Sequence, residues 1–132
     1  MKLIFDIDPV PASRPRVTRW GNTDYYEKTY EAFRTEMGKL LRGRRLNPPM
    51  SAPIKTDITF WIPIPKSYSK KKRTEIKGTH CVGISYIDNF EKALYDSLND
   101  VIWDDDKQVV EHRTRKMWID GQGKIEAIIE TL

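Results

Sequence analysis

Within this 132-residue chain, the stretch 54–62 constrains the fold most. Ile54, Thr56, Ile58, Phe60 and Ile62 alternate with Lys55, Asp57 and Thr59. Successive side chains of an extended chain point to opposite faces, so this pattern predicts a strand with one face buried. Pro63 and Pro65 end it, because proline has no N–H to give to a ladder. A sheet with an apolar face needs a cover, and two segments with helical spacing can supply one. The first begins near Asn22-Thr23-Asp24, whose side chains can accept from free N–H groups, and buries Tyr30, Phe33, Met37, Leu40 and Leu41. Gly43 and then Asn47-Pro48-Pro49 stop it. The second runs from Asp88 or Asn89 to Asn99, with Phe90, Ala93, Leu94 and Leu98 inward.

Three more strands are predicted: 2–8, with Leu3, Phe5 and Ile7 on one face; about 107–118; and 124–131. The last two are expected to form a hairpin about the turn Asp120-Gly121-Gln122-Gly123. Pro9, Pro11 and Pro15 rule out regular structure between Pro9 and Trp20. The basic run Lys66–Arg73 has room for a helical turn from Ser69, and 77–87 reads as a loop. The order strand-helix-strand-helix-strand-strand implies an α+β fold, one mixed sheet with flanking helices, in a single domain spanning 1–132.

Charge is unevenly distributed. Residues 1–80 hold 17 Lys and Arg against 8 Asp and Glu, while residues 81–132 hold 6 against 11. A basic half beside an acidic half suits a metal-dependent enzyme acting on a polyanion, since cations lower the energy of nearby phosphates and carboxylates hold divalent ions. Two solvated faces of opposite sign, or a basic face for an acidic protein partner, would read the same way. No uncharged apolar run approaches the ~20 residues of a membrane span. Asp6 comes too early for a signal peptide, and a lone cysteine, Cys81, fits a reducing compartment; a cytoplasmic protein is expected.

Asp88, at a loop-to-helix junction, and Asp104-Asp105-Asp106, at a loop-to-strand junction, are candidate ligands for Mg²⁺, which takes one or two carboxylates plus waters and phosphate. Lys92 shares a helix face with Asp88 and Asp96; it can contact a scissile phosphate, or simply pair with either acid. Arg14, Arg16 and Arg19 beside Trp20 make a proline-stiffened basic loop, and Lys70-Lys71-Lys72-Arg73 a second patch. Arginine forks match phosphate oxygens and an aromatic can stack on an exposed base. His80 and His112 form no metal-ligand spacing, and His112, inside a predicted strand, reads as structural. Phosphate-cradling glycine loops, nucleophile elbows and zinc patterns are missing, which disfavours nucleotide hydrolysis, acyl transfer and zinc chemistry.

Taken together, these segments resemble the RusA family of Holliday-junction resolvases, found mostly in bacteria and their phages. The likeness begins with Pro9-Val10-Pro11-Ala12-Ser13-Arg14-Pro15-Arg16 and continues through Trp61-Ile62-Pro63-Ile64-Pro65-Lys66-Ser67. Its most specific part is Asp88-Asn89-Phe90-Glu91-Lys92-Ala93, then Asp96, Trp103, Asp105-Asp106 and Gln108-Val109. The resemblance implies a homodimer that binds four-way DNA junctions and cuts them in symmetric pairs with Mg²⁺ or Mn²⁺, without a membrane or a nucleotide cofactor. It also implies that Asp88, Lys92 and Asp106 are catalytic, with Asp88, Asp105 and Asp106 at the metal. Arg14, Arg16, Arg19, Lys70, Lys71, Lys72 and Arg73 would hold DNA. Two residues before the Asp-Asn pair, where the family carries an aspartate, this chain has Tyr86. Either another acid, such as Asp104 or Asp105, completes the site, or the chain binds junctions without cutting them.

Overall fold

The structure, a computed structural model, describes residues 1–13 and 25–132. Four strands form one mixed sheet in the order β1-β4-β2-β3, where β1 is Lys2–Phe5, β2 Ile54–Pro63, β3 Val109–Ile119 and β4 Lys124–Thr131. β1 and β2 flank β4 and both pair with it antiparallel, whereas β2 and β3 run parallel. Helix α1 is Tyr25–Leu40, α2 Lys70–Ile76 and α3 Ile87–Leu98, with a short 3-10 turn at Asp106–Gln108 before β3.

The alternation in β2 produces the expected burial: Ile54, Thr56, Ile58, Phe60 and Ile62 are all buried. Leu3, Phe5, Ile125, Ala127 and Ile129 extend this apolar face across β1 and β4. Phe33, Met37 and Leu41 from the α1 segment, and Phe90, Ala93, Leu94 and Leu98 from α3, complete the core. Phe60 and Phe90 meet with ring centroids 5.6 Å apart. Trp103 is fully buried; its Nε1–H donates to Asn99 Oδ1 and its ring meets Tyr95 edge-on. Among the described residues no helix is long and apolar enough to cross a membrane.

Two expectations are corrected. β3 and β4 are not a hairpin, because β2 lies between them. The turn at 120–123 steps over the end of β2 instead of folding back on β3, and Gly123 makes the step possible. A Cβ there would lie 2.8 Å from Trp61 O and from Asp8 Oδ1, while the Gly123 N–H donates to that same Asp8 oxygen. The element order also carries an extra helix, α2, whose N-cap Ser69 accepts from Lys72 N. Boundaries shift slightly: β1 ends at Phe5, although Ile7 stays buried, and the 3-10 turn occupies the first residues of the predicted 107–118 strand.

β3 is an edge strand. Residues 78–81 cover the half nearer its C-terminal end, through Gly78 N to Trp118 O, Trp118 N to Thr79 O and Cys81 N to Lys116 O. Cys81 is buried, and burial raises its thiol pKa although Lys116 partly opposes this.

Gly123→Ala is expected to destabilise the protein by about 1–3 kcal/mol, because the new methyl presses on backbone that cannot retreat. Urea unfolding is the measurement, and an unchanged midpoint would refute the close approach.

Candidate functional site

Asp88, Glu91, Lys92, Tyr95, Asp106, Val109, Val110, Glu111 and His112 line one open pocket between α3 and the start of β3. The helix enters this pocket from a strained loop. Gly83 and Ile84 have φ of +92° and +70°, the latter unusual for a β-branched residue. Lys116 pins that loop, its Nζ donating to Gly83 O and Ser85 O. The helix cap is Tyr86, 78% exposed and making no side-chain capping bond, so Asp88 falls inside the first turn, where a carboxylate complements the helix dipole. Ala12 N–H donates to Asn89 O, which holds the proline-rich segment against the same turn.

One turn further, the Lys92 ammonium bridges two acids, lying 2.9 Å from Asp96 Oδ1 and 2.9 Å from Asp106 Oδ2. The ion pair within the helix and the reach across to the far segment therefore coexist. Tyr30 of α1 donates to Asp96 Oδ2 at 2.8 Å and so steadies the helical partner. The hydrogen bonds that its ammonium donates to Asp96 and then Asp106 push the Lys92 pKa up strongly, so it stays cationic through the neutral range. For Asp106, burial alone would raise the carboxyl pKa; the bond and charge of Lys92, with a smaller contribution from Asn99, outweigh it and hold the group below its ordinary value. Burial, then Asp96, raises the Tyr30 pKa.

Glu91 is 6% exposed, an unusual place for a carboxylate. Its Oε2 lies 2.6 Å from His112 Nδ1 and accepts from Thr114 Oγ1 at 2.9 Å and Tyr95 OH at 3.0 Å. Thr56 of β2 in turn hydrogen-bonds the Tyr95 hydroxyl, whose pKa is raised chiefly by burial.

The fold thus brings Asp88, Lys92 and Asp106 to one pocket, while the other candidates stand apart. Asp105 caps the 3-10 turn, its Oδ1 accepting from Lys107 N and its backbone N–H donating to Gln108 Oε1. Gln108 then donates to Met50 O and Ala52 O. Asp104 is exposed. Lys70–Arg73 belong to α2, which the Arg73–Asp120 ion pair holds at the opposite end of β3. Eleven residues of strand put roughly 33 Å between that end and Asp106. Arg73 also donates to Tyr68 O and Pro65 O, and Lys72 sits over the Tyr68 ring, leaving Lys70 and Lys71 exposed. Arg14, Arg16, Arg19 and Trp20 lie outside the described residues. Among the described residues no group of three or more His, Cys, Asp or Glu side chains is arranged to hold a metal ion. Two carboxylates in one pocket are nonetheless a hard-oxygen donor set of the size Mg²⁺ commonly takes from protein.

Sequence reasoning missed Glu91 and Tyr30. Glu91 stood only as one residue of the Asp88–Ala93 motif, and Tyr30 as part of the buried stripe; only the packing reveals what their polar atoms face. The buried partner of His112 had no signal in the spacing either.

The family model for endodeoxyribonuclease RusA matches residues 6–130. An uncharacterised protein, YqaN of Bacillus subtilis (strain 168), is 32% identical over 84 residues, 61% of this chain and 58% of YqaN, so the chain matches less than two thirds of that relative. The crossover junction endodeoxyribonuclease rusA of Enterobacteria phage 82 is 27% identical over 100 residues, 75% of this chain and 69% of that protein. The match to the family model runs from the end of β1 through β4 and takes in every residue of the pocket; the chain belongs to the RusA endodeoxyribonuclease family.

Proposed function

We propose that this protein is a metal-dependent endodeoxyribonuclease that resolves four-way DNA junctions by paired phosphodiester hydrolysis, working as a homodimer in the cytoplasm. The observation that carries the reading is the meeting of Asp88, Lys92 and Asp106 at one open pocket, from segments that only the fold brings together. Family membership and the name of the phage 82 relative support the substrate class.

Asp88 and Asp106 would hold the divalent ion, Mg²⁺ or Mn²⁺. When bound, it would polarise a phosphate oxygen and make an attacking hydroxide accessible near neutral pH. Lys92, 53% exposed and held cationic, supplies positive charge where the phosphate becomes more negative in the transition state. Asp96, steadied by Tyr30, keeps that ammonium oriented when Asp106 turns to the metal. Lys70 and Lys71, about a strand's length away, would engage phosphates of a more distant arm. Arg14, Arg16 and Arg19 are assigned the same task from their chemistry. Two copies would give two sites for cuts related by symmetry.

A second reading, junction binding without cutting, is favoured by Tyr86, a phenol and so a poor ligand for Mg²⁺, exposed two residues before Asp88. The deciding experiment incubates the protein with a labelled four-way junction and a linear duplex in Mg²⁺, Mn²⁺ or EDTA. Paired, metal-dependent nicks on the junction alone support resolution. A shifted but uncut junction supports the second reading, and no selectivity for the junction refutes both.

Asp106→Asn and Lys92→Met are each expected to slow junction cutting by at least about 10²-fold, since each removes a group aimed at developing charge. Asp106→Asn should still shift the junction in a gel. Lys70→Ala with Lys71→Ala is expected to weaken binding evenly across sequences and lower the salt slope by about 2.

The Lys92–Asp106 pair also predicts a pH dependence for the metal-free protein. Asp106 has a lowered folded value, so its contribution is present above the ordinary 3.8 and is lost as pH falls through the folded value. Lys92 has a raised one, so its contribution is present below 10.5 and is lost as pH rises through the folded value. Thermal melting of Asp106→Asn should therefore show a flatter acid limb than the unaltered protein; an identical limb would refute the linkage.

A further inference from the structure

We propose that His112, oriented by Glu91, is the general base that takes the proton from the attacking water. The inference rests on the hydrolytic reading above and adds a catalytic pair that Asp88, Lys92 and Asp106 do not include.

The geometry is that of an oriented imidazole. Glu91 Oε2 lies 2.6 Å from His112 Nδ1 and also accepts from Thr114 and Tyr95. A carboxylate that already accepts from two hydroxyls is placed to accept from Nδ1 as well, and in that tautomer of the neutral ring Nε2 keeps the lone pair. Glu91 is itself immobile: it is buried, three donors converge on one oxygen, and Thr56 of β2 backs the Tyr95 hydroxyl. His112, by contrast, has a side chain 57% exposed and lines the pocket that holds Asp88, Lys92 and Asp106. A fixed orienter behind an accessible imidazole, beside a site for anionic substrate, is the pattern expected of a general base.

The charged and titratable surroundings fit the task. The ring shares its pocket with Glu91, Asp88, Lys92 and Tyr95 of α3, with Asp106 of the 3-10 turn and with Glu111 of its own strand, which pairs with Lys55 of β2. Four carboxylates and one ammonium line the pocket into which the ring opens.

In the step itself, Nε2 takes a proton from water and the water oxygen forms a P–O bond with its freed electron pair. The P–O bond to the leaving sugar oxygen breaks with its electrons, and that oxygen takes a proton from solvent. The imidazolium then returns its proton to solvent, which restores the base.

The test compares His112→Ala and Glu91→Gln with the unaltered protein on a labelled four-way junction in Mg²⁺, under single turnover and across neutral pH. His112→Ala is expected to cut about 10²-fold more slowly while binding the junction equally well, and to lose the rising limb of the pH profile. Added imidazole should recover cutting in proportion to its neutral form. Glu91→Gln replaces the orienting carboxylate by a neutral amide of the same size, and should slow cutting without weakening junction binding. Cutting by His112→Ala within about threefold of the unaltered protein, with the same pH profile, would overturn the assignment and leave the pair as a tie between α3 and β3. Nitrogen NMR of the metal-free protein is a check free of activity: a neutral ring protonated at Nε2 would also overturn it. If the unaltered protein shifts junctions but cuts none, the hydrolytic reading falls and this inference with it.

Discussion

Parallel strands cannot be joined by a tight turn, and the pocket depends on that constraint. β2 and β3 run side by side in the same direction, so the chain must travel back the length of the sheet between them, and α3 is the return path. The helix must lie on the sheet, where Phe90, Ala93, Leu94 and Leu98 anchor it. Having come back, the chain must turn to start β3, and this turn is where Asp106 sits. A lysine one turn into the return helix and an aspartate at the restart of the strand thus come within 2.9 Å as a result of topology.

The elements around that meeting are stiff for separable reasons. Trp103 fills the corner between α3 and the 3-10 turn, its indole N–H held by Asn99. Asp105 and Gln108 cap the turn on each other and fasten it to the segment before β2. Glu91 ties the helix to β3 through His112 and Thr114. Ile84 occupies a backbone conformation costly for its type, and the Lys116 ammonium holds the carbonyls on either side of it. This strain is held in place just before the helix that carries Asp88 and Lys92.

Much of this was legible beforehand where local chemistry decides. The period-2 pattern of 54–62, the helix stripe on Phe90–Leu98 and the acid-rich restart at Asp104–Asp106 all carry their meaning in spacing. The pairing of strands does not. Residues 107–118 and 124–131 with a glycine turn between them look like a hairpin, and only the competition for the central strand decides otherwise. Gly123 was the available clue, since its role concerns what passes beneath it as well as the turn it makes. Polar partnerships were the least legible: nothing in the local pattern distinguishes Glu91, buried under three donors, from Glu111, exposed two strand positions away from Arg113.

The half-covered edge of β3 has one more consequence. Segment 78–81 satisfies the backbone near Trp118, but nearer Val109 none of the described residues shields the rim of the sheet, and an unshielded rim invites a stray strand from another molecule to dock and start aggregation. Along that rim the side chains read Glu111, His112, Arg113, Thr114 and Arg115. Burying such alternating charges under a foreign strand is unfavourable, whereas a solvated polyanion can lie along them. A rim that begins at the pocket with Glu111 and His112 thus also protects the protein from clumping with its own copies.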